Sequence, residues 1–143
     1  MQLMNSQIDK AYRIAENAHR GQKDKGGKDY ILHPLAVCQR VDSDDEKIVA
    51  LLHDVVEDSE ITLEFLRDAG FPHHIIDAIA TITKKKGQDY EAYIKGIKDN
   101  RLARTVKIAD MRHNSDLSRL SVVTAIDLKR VEKYSKAIEY LQN

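Results

Sequence analysis

The run His53-Asp54-Val55-Val56-Glu57-Asp58 gathers four ionisable side chains into one short stretch. On a helix, His53 and Glu57 stand one turn apart, as do Asp54 and Asp58. Leu51, Leu52, Val55 and Val56 surround them. Ionisable groups set among leucines and valines are costly to bury unless a metal or a partner offsets the burial. A second cluster repeats the pattern, with Asp110, His113 and Asn114 spaced i, i+3, i+4 at the end of the apolar run Val106 to Ala109. A further histidine, His33, precedes Pro34 just after a lysine-rich loop. Imidazoles and carboxylates drawn from separate helices are the donor set of a divalent-metal site in a helical bundle. That mixture suits Mn, Fe, Co or Zn better than Ca or Mg. Cys38 is the sole cysteine, so neither an intramolecular disulfide nor a Cys-rich zinc site is available.

The elements that must hold these groups read as helices. Only 6 Gly and 2 Pro punctuate the chain, which leaves long unbroken segments. Ile8, Ala11, Tyr12 and Ala15 recur at helical spacing, predicting a helix over 6–20 with Ser6 as its cap. Residues 21–30 form a flexible Lys- and Gly-rich loop, and His33-Pro34 opens a short helix. Ser43 to Glu46 reads as a capping box, followed by a helix whose apolar face runs from Ile48 to Val56. Short helices are expected over 62–69, with Gly70 beyond the end, and from Pro72 through Ile82. Others span about 89–97, from Asn100 to about Asn114, and about 124–141. The last carries Leu128, Val131, Tyr134, Ile138 and Leu141 on one stripe. No segment alternates as a strand would. The expectation is one all-α domain, residues 1–143, of six to eight helices.

Charge narrows the function classes. With 23 Lys+Arg against 23 Asp+Glu, the net charge is zero, and no global field draws in nucleic acid or an anionic membrane. Residues 1–15 lack the apolar core of a signal peptide, and no stretch approaches a membrane span. A soluble cytoplasmic protein is expected, with a small molecule as its partner. Lys23, Lys25 and Lys28 could offer point charges to a polyphosphate. Lys84 to Lys86 read as a solvated turn or a further source of such charge. His73 and His74 belong on the surface.

Four ordered motifs carry a resemblance. Ala18-His19-Arg20-Gly21-Gln22 comes first, then Tyr30-Ile31-Leu32-His33-Pro34. Residues 51–58 follow, and then Lys107-Ile108-Ala109-Asp110-Met111-Arg112-His113-Asn114. Together they resemble the HD superfamily of metal-dependent phosphohydrolases, and within it the hydrolase domains of RelA/SpoT alarmone enzymes and their small single-domain relatives. The resemblance implies a helical bundle with a metal, usually manganese, held by His33, His53, Asp54 and Asp110. It implies that Glu57 and Asp58 lie beside the attacking water and orient it or move its proton. It gives Asn114 a contact to the nucleoside sugar. His19 is expected to be structural, and His113 to stand behind a ligand or to be a packed histidine. The reaction implied is removal of the 3′-pyrophosphate of ppGpp or pppGpp, leaving GDP or GTP. Two alternatives stand beside it: an HD phosphohydrolase acting on another nucleotide, and a non-catalytic nucleotide-binding module. The loop Lys23-Asp24-Lys25-Gly26-Gly27 departs from the Arg-Lys-Ser-Gly-like loop of relatives, and the region after Thr83 is shorter. Base recognition is therefore the part least determined by the motifs. The 143 residues leave no room for a synthetase domain, so alarmone synthesis is not expected.

Overall fold

A computed structural model describes residues 6–143. Residues 1–5, the start of the stretch read for a signal peptide, lie outside it. The described residues form helices α1 (Ser6–Ala18), α2 (Leu32–Gln39), α3 (Asp44–Leu52), α4 (Val55–Asp58), α5 (Leu63–Asp68), α6 (His73–Ile82), α7 (Tyr90–Lys98), α8 (Arg101–Asn114) and α9 (Ala125–Gln142). A single 3₁₀ turn, η1, spans Leu117–Arg119 between α8 and α9. No strand occurs among the described residues, and the one bridge, Lys23 with Asp29, is isolated.

Local chemistry accounts for most of the boundaries. Ser43 accepts from Glu46 N–H, and the Glu46 carboxylate accepts from Ser43 N–H in return, closing a capping box at the start of α3. Thr62, Asp89 and Asn100 cap α5, α7 and α8 with their own side chains. Thr124 and Asp127 close a second capping box at α9. Gly70 ends the α5 segment at φ +99°, a left-handed backbone that favours glycine. Pro34 is the third residue of α2 instead of its first, which costs little because first-turn N–H groups have no partner in the helix.

Helices α3 and α8 form the middle of the bundle. Ile48, Val49, Ala50, Leu51 and Leu52 are all buried, so α3 is covered on every side. It packs against α1, α2, α6 and α8, while α8 also meets α2, α6, α7 and α9. The core they share runs from Ile8 to Leu141.

Two expectations are corrected. The helix expected to run from the capping box past Val56 breaks at His53-Asp54 and restarts as α4. His53 Nδ1 takes the carbonyl of Ala50 at 2.6 Å, the group that would serve Asp54 N–H in an unbroken helix. The break raises the count to nine α-helical segments among the described residues. Leu128 is the second correction. It is 56% exposed, and the inner stripe of α9 is carried by Ala137 and Leu141.

Candidate metal centre and active site

Three elements deliver the site. α2 presents His33 from its first turn, the break after α3 presents His53 and Asp54, and the last turns of α8 present Asp110. His33, His53 and Asp110 are almost wholly buried, at 2%, 2% and 4% exposure. The donor atoms of His33, His53, Asp54 and Asp110 all lie within 4.8 Å of one another. His33 Nε2 is 2.8 Å and His53 Nε2 3.3 Å from Asp110 Oδ1. Asp54 Oδ2 is 3.1 Å from His53 Nε2 and 3.7 Å from His33 Nε2. Ligands about 2.0–2.2 Å from one ion stand up to about 4 Å apart, so the cluster has the dimensions of a divalent site. The tautomer agrees as well. His53 Nδ1–H donates to Ala50, which leaves Nε2 as the nitrogen that faces the carboxylates and that would turn its lone pair to an ion once its proton is displaced.

The charges around the cluster are interdependent. Burial works against the charge on His53, but Asp54 and Asp110 outweigh it and hold its pKa well above the ordinary value. Burial also opposes ionisation of Asp110, yet Lys107, His53 and hydrogen bonds from both histidines keep it well below the carboxylate range. Asp54 is lowered to about 2, with burial overcome by the charge and hydrogen bond of His53. A buried set of anions held ionised in this way suits a divalent cation.

Further groups brace the candidate ligands. Tyr30 O–H donates to Asp54 Oδ2 at 2.6 Å. Lys107 Nζ lies 3.0 Å from Asp110 Oδ2, over the ring of Tyr93. Asn114 Nδ2 donates to Asp110 Oδ1 at 3.1 Å. The motif strings contain Tyr30 and Lys107, but spacing alone gave neither a role. Their contacts with the carboxylates of Asp54 and Asp110 appear only in the folded chain.

Glu57 and Asp58 lie on α4, exposed at the rim. Glu57 Oε1 accepts from Lys84 N–H at 2.8 Å, tying α4 to the lysine turn after α6. The Asp58 pKa is pushed up to about 6, by partial burial first and then by the charges of Asp54 and Glu57. His19 is buried, and its Nδ1–H donates to Gln22 Oε1. The Gln22 amide in turn donates to the Asp58 carbonyl at 2.9 Å. His19 thus supports the backbone of α4. His73 and His74 are exposed, each beside a carboxylate, Asp77 and Asp45.

The segment 21–30 is more ordered than a flexible loop. Asp24 Oδ1 accepts from Gly26 N–H and Lys28 N–H, Lys23 pairs with Asp29, and Gly27 turns the chain at φ +82°. All three lysines are exposed, but the ammonium of Lys23 is engaged by Asp29.

His113 is buried at 9% exposure, and its Nδ1 lies 2.7 Å from His33 Nδ1. Its pKa is lowered to about 4, by burial first and then by the Arg119 guanidinium. Arg119 belongs to no motif, and no sequence signal marks it.

No family model matches the chain. It is 38% identical over 149 aligned residues to a protein of Streptomyces coelicolor named GTP pyrophosphokinase, covering 95% of this chain and 17% of that protein. It is 35% identical over 115 residues to the guanosine-3′,5′-bis(diphosphate) 3′-pyrophosphohydrolase of Haemophilus influenzae, covering 71% of this chain and again 17% of the relative. The chain thus spans about a sixth of the length of the curated relatives it matches. In fold it is similar, at TM-score 0.82 and 19% identity, to a solved structure of a metazoan ortholog of SpoT, described as hydrolysing ppGpp and acting in starvation responses. That likeness covers 100% of this chain and 89% of the other.

Proposed function

We propose that this chain, an HD-type helical domain similar to the RelA/SpoT alarmone enzymes, removes the 3′-pyrophosphate of ppGpp or pppGpp and releases GDP or GTP. The observation that carries the proposal is the convergence of His33, His53, Asp54 and Asp110, with Glu57 and Asp58 one turn beyond. Relatives whose names state this chemistry support it. The metal we propose is Mn²⁺, held by those four residues. A bound divalent ion polarises a phosphate oxygen and lowers the pKa of water.

The chain's own residues supply the rest. Tyr30, Lys107 and Asn114 keep the Asp54 and Asp110 carboxylates in place. Asp58 takes a proton from the attacking water, its raised pKa placing the proton transfer near neutral pH. Glu57, anchored on Lys84 N–H, orients that water from the rim. Lys25 and Lys28, with Lys23 once it leaves Asp29, present charge to the leaving pyrophosphate. Asn114 turns toward the sugar from its place beside Asp110.

Mn²⁺-dependent product analysis on ppGpp, GTP and a generic phosphate ester tests the reading. Pyrophosphate and GDP from ppGpp, with GTP and the ester untouched, is the expected result. Turnover of all three at similar rates would leave a metal phosphohydrolase without the alarmone specificity. Neutralising Lys23, Lys25 and Lys28 together should raise KM for ppGpp more than for the ester, an effect that weakens in salt.

A further inference from the structure

Beyond the four candidate ligands, one chain of contacts reaches the metal cluster from outside. His33 Nδ1 and His113 Nδ1 are 2.7 Å apart. The two ring planes differ by 24°, with centroids 5.0 Å apart, so the rings meet at their edges instead of face to face. Arg119 Nη1 lies 3.1 Å from Nδ1 and 3.2 Å from Nε2 of the same His113 ring. The Arg119 backbone is itself pressed against the lysine loop. A Cβ on Gly26 would sit 2.6 Å from the Arg119 carbonyl oxygen, so only glycine allows this approach.

The direction of the hydrogen bonds follows from the metal reading. If His33 Nε2 gives its lone pair to a cation, its proton resides on Nδ1. His113 Nδ1 must then accept it. Its near-equal distances to both nitrogens put the Arg119 guanidinium over the ring face, where its charge favours the neutral imidazole that accepts from His33. His113 touches neither the cluster of donor atoms nor any other ligand side chain by a hydrogen bond, so its action on the site passes through His33.

We propose that His113, braced by Arg119, is the positioning residue of the metal ligand His33, and that the Gly26–Arg119 contact ties this brace to the lysine loop. The inference rests on the metal-centre reading above and requires no particular substrate. Its consequence is unusual for a loop residue. A substitution at Gly26, which touches no ligand, weakens metal binding. By linkage, a ligand that favours this loop conformation strengthens metal binding, and metal in turn strengthens that ligand.

Mn²⁺ titration of the chelator-stripped protein, with free ion followed by electron paramagnetic resonance, tests the brace without an activity assay. His113→Leu removes the acceptor and should weaken binding by about 10–100-fold, the scale of a lost partner behind a metal-bound histidine. His113→Asn keeps an acceptor oxygen where Nδ1 stood and should remain within about threefold of wild type on the same scale. Gly26→Ala should weaken binding by about threefold or more, while circular dichroism stays native. Equal loss in the Leu and Asn variants would reduce His113 to packing and overturn the brace. Wild-type affinity in His113→Leu would overturn it too, and wild-type affinity in Gly26→Ala would overturn the tie to the loop. If His113→Leu does not fold, the Asn and Gly26 variants decide by the same criteria. A wild-type chain that binds no divalent ion would defeat the metal centre itself, whereas Mn²⁺ binding without ppGpp turnover would defeat only the proposed substrate.

Discussion

Asp58 and Lys107 face the same cluster in opposite electrostatic situations. The Asp58 carboxyl, with a pKa near 6, is basic only above that pH. Turnover should fall as pH drops through about 6, or through a lower value where a bound cation offsets the charge of Asp54. Asp58→Asn should lower kcat by about a hundredfold and erase this acid limb, with metal content unchanged by elemental analysis. A raised carboxyl pKa also means that ionisation opposes folding at neutral pH. The same variant should therefore melt slightly higher than wild type at pH 7 in a thermal scan. Lys107 is the opposite case, half of a mostly buried ion pair with Asp110. Lys107→Met leaves that carboxylate without its cation and should destabilise the metal-free protein by about 3 kcal/mol in urea unfolding. The loss should shrink when Mn²⁺ supplies the missing charge, a difference that simple loss of packing would not produce.

Helix α3 is held by its first turn as well as by its core. Ser43→Ala opens the capping box and should cost about 1 kcal/mol of stability, measured by denaturant midpoint. Hydrogen bonds from Ser43 and Asp42 N–H outweigh burial and lower the Glu46 pKa. The stabilisation is thus present above the unfolded carboxyl pKa and lost as pH falls through the folded one. Glu46→Gln should flatten that acid limb of stability. This box was legible in the sequence because capping is local: Ser43 and Glu46 declare it within four residues. Most helix limits, the buried face of α6 and the convergence of His33, His53, Asp54 and Asp110 were legible for similar reasons, through period, caps and ordered motifs. The break at His53 was not, because both sides of it keep helical spacing, and only the side-chain bond to Ala50 interrupts the ladder. Arg119 was silent for a different reason. Its role arises where η1 folds back on residue 26, a contact between distant parts of the chain with no periodic trace.

At the scale of the molecule, the candidate centre joins α2, the end of α3 and α8, so ion binding and folding are linked. Mn²⁺ at about 100 times its Kd should add about 2.7 kcal/mol of stability. For a chain of this size that is a rise in Tm of roughly 8–10 °C, reversed by a chelator. His53→Ala or Asp54→Ala should abolish the metal-dependent part of the shift and the bound ion with it. An unchanged Tm on chelation would speak against the centre. Among the described residues no helix is long and apolar enough to cross a membrane.

The separation of the ligands along the chain also sets a timetable. His33 and His53 are followed by Asp110 only 77 and 57 residues later. At about 5–20 residues per second, a ribosome needs roughly 3–11 s to add the last of these after His53. Throughout that interval three of the four candidate donors have been made, with no α8 to close over them. On the proposed reading, loading with metal waits for α8, because the earlier donors alone make a half-built site.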